Sequence, residues 1–148
     1  MTQRPVLFTK RLLDFMFLSG ILMTGAIPAV FCRVGRYIKA FSAYYLPLTV
    51  LYMASGVLCL LIIWQLRRMF DTVLADDAFV DANTVSLKKM ARYSFLISLL
   101  SVMRLPFSPT PATVFIIIVF FIAGLFSIVL SQVFAKAVQY KKENDLTI

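Results

Sequence analysis

The feature that most constrains the fold of this chain is a pair of long uncharged stretches. No charged residue lies between Lys39 and Arg67, and none lies between Arg104 and Lys136. Each stretch is longer than the roughly 20 apolar residues that a helix needs to cross a bilayer. The chain is 61% hydrophobic, whereas soluble domains contain about 45–50% apolar residues. Because a soluble fold of 148 residues could not bury this excess, part of the surface must face lipid.

We therefore predict one all-α membrane domain, residues 1–148, with four transmembrane helices arranged as two hairpins of a four-helix bundle. The predicted spans cover about residues 12–31, 44–66, 91–107 and 111–140, and residues 67–90 form the linker between the hairpins. The third span is the weakest, because only eleven uncharged residues separate Arg92 from Arg104. It is long enough if the Arg104 side chain extends to the outer headgroups. In a three-span alternative, this segment lies at the interface.

Turn and cap signals mark the helix ends. Ala75-Asp76-Asp77 is expected to end the second helix, and Asp81 or Asn83 is expected to cap the next one. Phe79 precedes that cap and fits a hydrophobic staple on the same helix. This structural interpretation of Phe79 and Asn83 stands beside a direct role in binding a partner. Before the fourth span, Thr110 suits an N-cap and Pro111 the first helical position.

The distribution of basic residues predicts the orientation. The N-terminal segment, the central polar segment Arg67–Arg92 and the C-terminal tail carry three, five and three Lys or Arg, eleven of the fifteen. Cytoplasmic loops of membrane proteins are enriched in these residues. We therefore expect a multi-pass membrane protein with both termini and the linker in the cytoplasm. Because the basic residues flank apolar runs, direct nucleic-acid binding is not expected.

Small residues recur along the fourth predicted span at helical spacing, which lets membrane helices approach closely. They are Ala123, Gly124, Ser127, Ser131 and Ala135. The stripe is expected to pack against another span of the same chain. A seam between two copies in a homo-oligomer is the alternative.

No motif in the chain supports an enzyme. Histidine is absent, and we find no glycine-rich phosphate loop, no pair of carboxylates within a span and no cluster of metal ligands. No cofactor or metal is expected. The polar residues near the centres of the spans carry only hydroxyls, whereas ion-coupled carriers place ionisable groups there. A carrier is therefore disfavoured.

The C-terminal tail follows the fourth span on the same predicted side as the linker. Its lysines Lys141 and Lys142 suit a helix C-terminus, and Asn144 could adopt a left-handed cap conformation. After this cap a short extended peptide is expected, which includes Asp145 and Leu146 and ends in an apolar tip. It could dock in a groove of a partner or be a frayed end.

Two blocks of the sequence resemble the small bacterial membrane proteins grouped as domain of unknown function 2975. The segment from Ala78 to Asn83, with Phe79, Asn83 and the following Leu87, is similar to that family's Pro-Phe-x-x-x-Asn…Leu block, with Ala78 in place of the proline. The ending from Val133 to Ile148 resembles its Val-Phe…Glu-Asn-Asp-Leu-Thr-Val close. The resemblance implies four spans in this order, a location in the bacterial inner (cytoplasmic) membrane and no established activity. Family members are often encoded beside a small helix-turn-helix regulator, which implies such a regulator as a possible cytoplasmic partner.

These observations leave three functional hypotheses open. The first is a non-enzymatic regulatory or sensory membrane protein whose linker and tail bind a soluble DNA-binding regulator. The candidate residues are Phe79, Asn83, Leu87, Glu143, Asn144, Asp145 and Leu146. The second is a small transport or pore-forming subunit, and the third is an assembly factor of a membrane complex.

Overall fold

A computed structural model describes residues 3–146 of the chain, except for the side chains of residues 40 and 41. Thr147 and Ile148 of the predicted tail therefore lie outside the described residues. The fold consists of helices in the described range: α1 (Gln3–Val34), α2 (Lys39–Ala43), α3 (Tyr45–Leu74), α4 (Asp81–Arg104) and α5 (Pro111–Leu146). Four of these helices are long, and α2 is a short turn of helix in the first loop.

The long helices extend beyond the predicted spans, mostly into the polar segments. Helix α3 continues to Leu74, and α4 begins at Asp81. The predicted linker 67–90 is therefore mostly helical, and only residues 75–80 connect the two helices. Helix α5 begins at Pro111, as predicted, and the backbone amide of Thr113 donates to the Thr110 hydroxyl over 3.3 Å. Thr110 thus acts as the predicted N-cap.

Three of the helices are long and apolar enough to cross a membrane. They are α1, α3 and α5. Helix α4 is not among them, because Lys88, Lys89 and Arg92 occupy its first half and hydroxyl residues are frequent in the rest. The length and composition of the helices thus support three of the four predicted spans.

The long helices pack side by side in the order α1, α3, α4, α5. Helix α3 lies between α1 and α4, and α4 lies between α3 and α5. Within residues 3–146, no close backbone contact joins α1 to α4 or α5. The seam that would close a four-helix bundle is therefore open, and the helices form a row with α1 and α5 at its edges.

Helix α4 is the most buried helix because it has a neighbour on each side. Eleven of its residues are buried, whereas in the described part of α1 only Leu13 is buried. Several buried positions of α4 carry hydroxyls, including Ser94, Ser98 and Ser101. The Ser98 hydroxyl donates to the carbonyl oxygen of Ile117 on α5 over 3.0 Å. Burial against protein, instead of lipid, explains why α4 tolerates a polar composition.

The predicted small-residue stripe of α5 lies partly in the seam with α4. Gly124, Ser127 and Ser131 are buried, while Ala123 is half-buried and Ala135 is exposed. A Cβ atom added at Gly124 would lie 2.7 Å from the ring of Phe95 on α4. Gly124 therefore permits the close approach of these two helices. The buried part of the stripe therefore faces α4 within the chain.

Arg104 lies at the end of the row opposite to the linker and differs from the expectation. Its side chain is only 3% exposed, and its guanidinium carbon lies 4.0 Å from the centroid of the Tyr52 ring on α3. The prediction that Arg104 extends outward to the headgroups was wrong. The aromatic face of Tyr52 offers a cation–π contact inside the helix row, and guanidinium is weakly hydrated for a cation.

Helices α3 and α5 run parallel, and α4 runs back between them. The Tyr44 ring at the start of α3 contacts that of Phe107, which follows α4, with centroids 5.3 Å apart. At the other end, Lys141 of α5 pairs with Asp77, which follows α3. Helix α4 therefore covers the distance between the two ends. The N-terminal end of α1, the α3–α4 connection and the C-terminal end of α5 all lie at one end.

Candidate functional site at the polar end

Four ion pairs join the helices at the end that contains both described termini. Arg67 of α3 donates to Asp14 of α1 over 2.6 Å. One helical turn farther along the same seam, Lys10 pairs with Asp71. The guanidinium of Arg67 also lies 5.1 Å from the Phe17 ring centroid and 5.4 Å from that of Trp64. These contacts fix the edge helix α1 against α3.

The other two ion pairs join the C-terminal end of α5 to the α3–α4 connection and to the first residue of α4. Lys141 pairs with Asp77, and Lys142 donates to Asp81 over 2.9 Å. The side chains of both pairs are at least 43% exposed, and exposed pairs each contribute only about 0–1 kcal/mol. Their main consequence is geometric: the tail lies directly against the α3–α4 connection.

The connection begins with a tight turn at Asp76, as the sequence predicted. Asp76 has a φ of 54°, in the left-handed region that favours glycine. The Asp77 amide donates to the carbonyl of Thr72, and the Asp76 amide donates to that of Val73, over 3.0 and 3.1 Å. This pair of bonds is the Schellman arrangement that ends many helices. It ends α3 and turns the chain toward α4.

Asn83 ties the connection to both helices, and the prediction that its side chain or that of Asp81 caps α4 was wrong. Val80 is the N-cap residue, and no side chain forms a capping hydrogen bond. The Asn83 amide instead donates to the Thr72 hydroxyl over 2.7 Å and to the Ala78 carbonyl over 2.6 Å. The Asn83 residue is only 2% exposed. It is therefore a structural clamp inside the connection.

The aromatic ring of Phe79 contacts α5, although Phe79 directly precedes α4 in the sequence. Its ring lies 5.4 Å from that of Phe134, centroid to centroid, in an edge-on arrangement. This contact joins the α3–α4 connection to α5, while the staple on α4 stays a prediction. Phe79 is about half exposed, whereas Leu87 in the second turn of α4 is buried. Phe79 can contact a partner, but Leu87 is part of the core.

The C-terminal tail is helical through Leu146, contrary to the expectation of an extended peptide. Glu143, Asn144 and Asp145 all lie within α5, so Asn144 does not act as a left-handed cap. No glycine or proline interrupts this segment, and Gln139 donates to Glu143 over 3.3 Å, one turn away. Leu146 is 86% exposed. The tail therefore presents a helix face and an apolar tip.

A cleft of about 230 Å³ lies between the connection and the tail. The connection contributes Phe79 and Val80 to its lining, and α4 contributes its first residue, Asp81. Helix α5 contributes Val138, Lys141, Lys142 and Asp145. The cleft thus combines apolar side chains with charges of both signs. We call this surface the linker–tail cleft.

The structure brings together only part of the predicted site. Phe79 and Asp145 line the linker–tail cleft, and Glu143, Asn144 and Leu146 lie exposed on the adjoining end of α5. Asn83 and Leu87 are buried beneath it. Sequence reasoning missed Val138, whose side chain is buried between the elements, and the pairing of both lysines with aspartates. The spacing of four from Phe134 to Val138 was the available signal.

Most acidic residues near this end form ion pairs. Asp14, Asp71, Asp77 and Asp81 each pair with a basic side chain. Among residues 3–146, no group of three metal-ligating side chains is close enough to hold an ion. The linker–tail cleft places the aromatic ring of Phe79 beside charged groups of both signs.

The comparison with known families matches most of the chain. Residues 29–148 match the family model described as "Protein of unknown function (DUF2975)". No curated protein and no solved structure matches the sequence. The match includes the α3–α4 connection, the linker–tail cleft and α5, and it agrees with the resemblance seen in the two sequence blocks. The chain therefore belongs to this family of unknown function, DUF2975.

Proposed function

We propose that this chain is a non-enzymatic, multi-pass protein of the bacterial inner membrane that holds a soluble regulator at its cytoplasmic face. In this proposal α4 is the third of four spans, in addition to the three apolar helices α1, α3 and α5. The support is geometric: α3 and α5 are parallel, so the chain must return between them through α4. The polar end then lies in the cytoplasm, as the excess of basic residues on the same segments predicts.

The observation that carries the regulatory part is the linker–tail cleft. Two segments far apart in the sequence meet there through the Lys141–Asp77 and Lys142–Asp81 pairs and the Phe79–Phe134 contact. At 36 residues, α5 is about 54 Å long, whereas the hydrocarbon core of a bilayer is about 30 Å thick. Its end therefore extends into water, where a small helix-turn-helix regulator is the proposed partner.

Site-specific photocrosslinking in cells tests this proposal. A photoreactive amino acid replaces Phe79 or Leu146, which flank the linker–tail cleft, and Tyr37 as the control. Tyr37 is 89% exposed and lies between α1 and α2, at the opposite end of the row. We expect adducts with a DNA-binding regulator from the first two positions and none from Tyr37.

The contrary outcome identifies the alternatives. If Phe79 and Leu146 crosslink only to other copies of the chain, and the purified protein conducts solutes in liposomes, a pore or transport subunit replaces the regulatory proposal. An assembly factor is favoured by one observation, the open seam at α1, which has a protein neighbour on one side only. In that case crosslinks from exposed α1 positions, and not from the cleft, recover a second membrane protein.

A further inference from the structure

A second concave surface lies between α4 and α5 and shares no lining residue with the linker–tail cleft. It is a groove of about 350 Å³. Lys88 and Arg92 line it from α4, and Gln132 lines it from α5. One turn farther from the polar end, Phe95 and Ile128 form its apolar walls. We call this surface the α4–α5 groove.

The groove has an unbalanced positive charge. Lys88 and Arg92 are one helical turn apart, so their side chains lie on the same face of α4. Neither forms an ion pair in the described part of the chain, and no acid lines the groove. Lys136 adds a third positive charge nearby, one turn beyond Gln132 on the same face of α5. The groove therefore favours an anion.

The polarity of the groove changes along the direction of the membrane normal. Arg92 is the last charged residue before the uncharged stretch from Tyr93 to Met103. The cations thus lie at the boundary of the apolar region, level with the polar end of the helix row. Phe95 and Ile128 lie on its apolar side, and Ile128 is 38% exposed on the outer surface of α5. A ligand that fits must be anionic at one end and apolar at the other.

We propose that the α4–α5 groove binds an anionic phospholipid of the surrounding bilayer. The phosphate lies between Lys88 and Arg92, with Gln132 as an additional hydrogen-bond donor. An acyl chain lies against Phe95 and Ile128. Basic grooves between membrane helices at the headgroup level are suited to this type of ligand. The proposal concerns a lipid-facing surface and does not depend on a soluble regulator.

Quenching of a single tryptophan by brominated lipids tests the proposal on the full chain. Trp64 is the one tryptophan of the chain, so the double variant W64F/I128W places the only indole in the groove. In vesicles of phosphatidylcholine, we expect brominated phosphatidylglycerol to associate about tenfold more strongly with this site than brominated phosphatidylcholine. Equal quenching by the two lipids would overturn the proposal.

A charge-matched pair of variants separates a site from general surface charge. In the reporter background, K88Q/R92Q removes the two groove cations, and R68Q/K89Q removes two cations at the same end that do not line the groove. We expect K88Q/R92Q to abolish the preference for phosphatidylglycerol and R68Q/K89Q to retain it. An equal loss in both variants would show that only the net charge attracts the lipid. If K88Q/R92Q does not fold, the single variants R92Q and K89Q make the same charge-matched comparison, since Arg92 lines the groove and Lys89 does not.

Discussion

Single residues in the α3–α4 connection determine how the two halves of the molecule meet. Asp76 supplies the left-handed turn, and Asn83 holds the turn against both helices. The sequence indicated a turn at Asp76 because three small or acidic residues follow an apolar helix. It did not indicate the role of Asn83, because the partners Thr72 and Ala78 become neighbours only when the chain reverses direction.

Replacing Asp76 by glycine should stabilise the protein. A non-glycine residue in the left-handed region destabilises the folded state by about 1–2 kcal/mol, and glycine removes this strain. Glycine also raises the conformational entropy of the unfolded chain, which offsets part of the gain. We expect the free energy of unfolding to rise by about 0.5–1 kcal/mol. Titration with sodium dodecyl sulfate in mixed micelles, followed by circular dichroism, measures it. The control Ala75→Gly, where φ is −84°, should lower stability; an equal gain there would contradict the explanation.

Replacing Asn83 by alanine should destabilise the connection. The substitution removes the two hydrogen bonds that the buried Asn83 amide donates to Thr72 and Ala78, at a cost of about 1–3 kcal/mol. The same titration measures the loss, and faster proteolysis within residues 75–80 would locate it. Gln132→Ala, which truncates an amide side chain at an exposed position on α5, serves as the control and should change stability by less than about 0.5 kcal/mol. Similar stability of the two variants would refute the clamp.

At the scale of elements, α4 is the helix that the sequence describes least well. Its composition is too polar for a clear membrane span, yet it is the most buried helix. The apolar edge helices were easier to predict, since exposure to lipid leaves a strong compositional signal. The helical tail was missed because Asn144 and Asp145 are weak helix formers in isolation. In the structure these residues continue the long helix that begins at Pro111, and Gln139 donates to Glu143 within it.

The close approach of α4 and α5 depends on Gly124. In Gly124→Ala the new methyl group meets the Phe95 ring at about 2.7 Å, and overpacking of this kind costs about 1–3 kcal/mol. The control Gly25→Ala meets no atom within 4 Å and should be neutral or stabilising, by up to about 1 kcal/mol. Unfolding titrations compare the two. If both variants have the same stability, the steric explanation is wrong. Adding Phe95→Leu to Gly124→Ala should restore part of the lost stability.

At the scale of the whole molecule, the ion pairs gather both described chain ends and the α3–α4 connection at one end. This arrangement makes the predicted orientation directly testable. In a chain carrying C32S and C59S, a cysteine at Asp77 should resist a membrane-impermeant thiol reagent in intact cells and react after lysis. A cysteine at Tyr37 should react in intact cells. Reversed labelling would place the polar end outside the cytoplasm, and labelling of both positions from outside would contradict four spans.

The sequence by itself determined the class of this protein, a helical membrane protein with its polar segments at the ends of apolar helices. Apolar length and the positions of charged residues are local properties, so they can be counted along the chain. Only the tertiary structure decided that the helices form an open row, that Arg104 is buried against Tyr52, and that the tail meets the connection. These features depend on contacts between residues far apart in the sequence, and their partners are defined by packing.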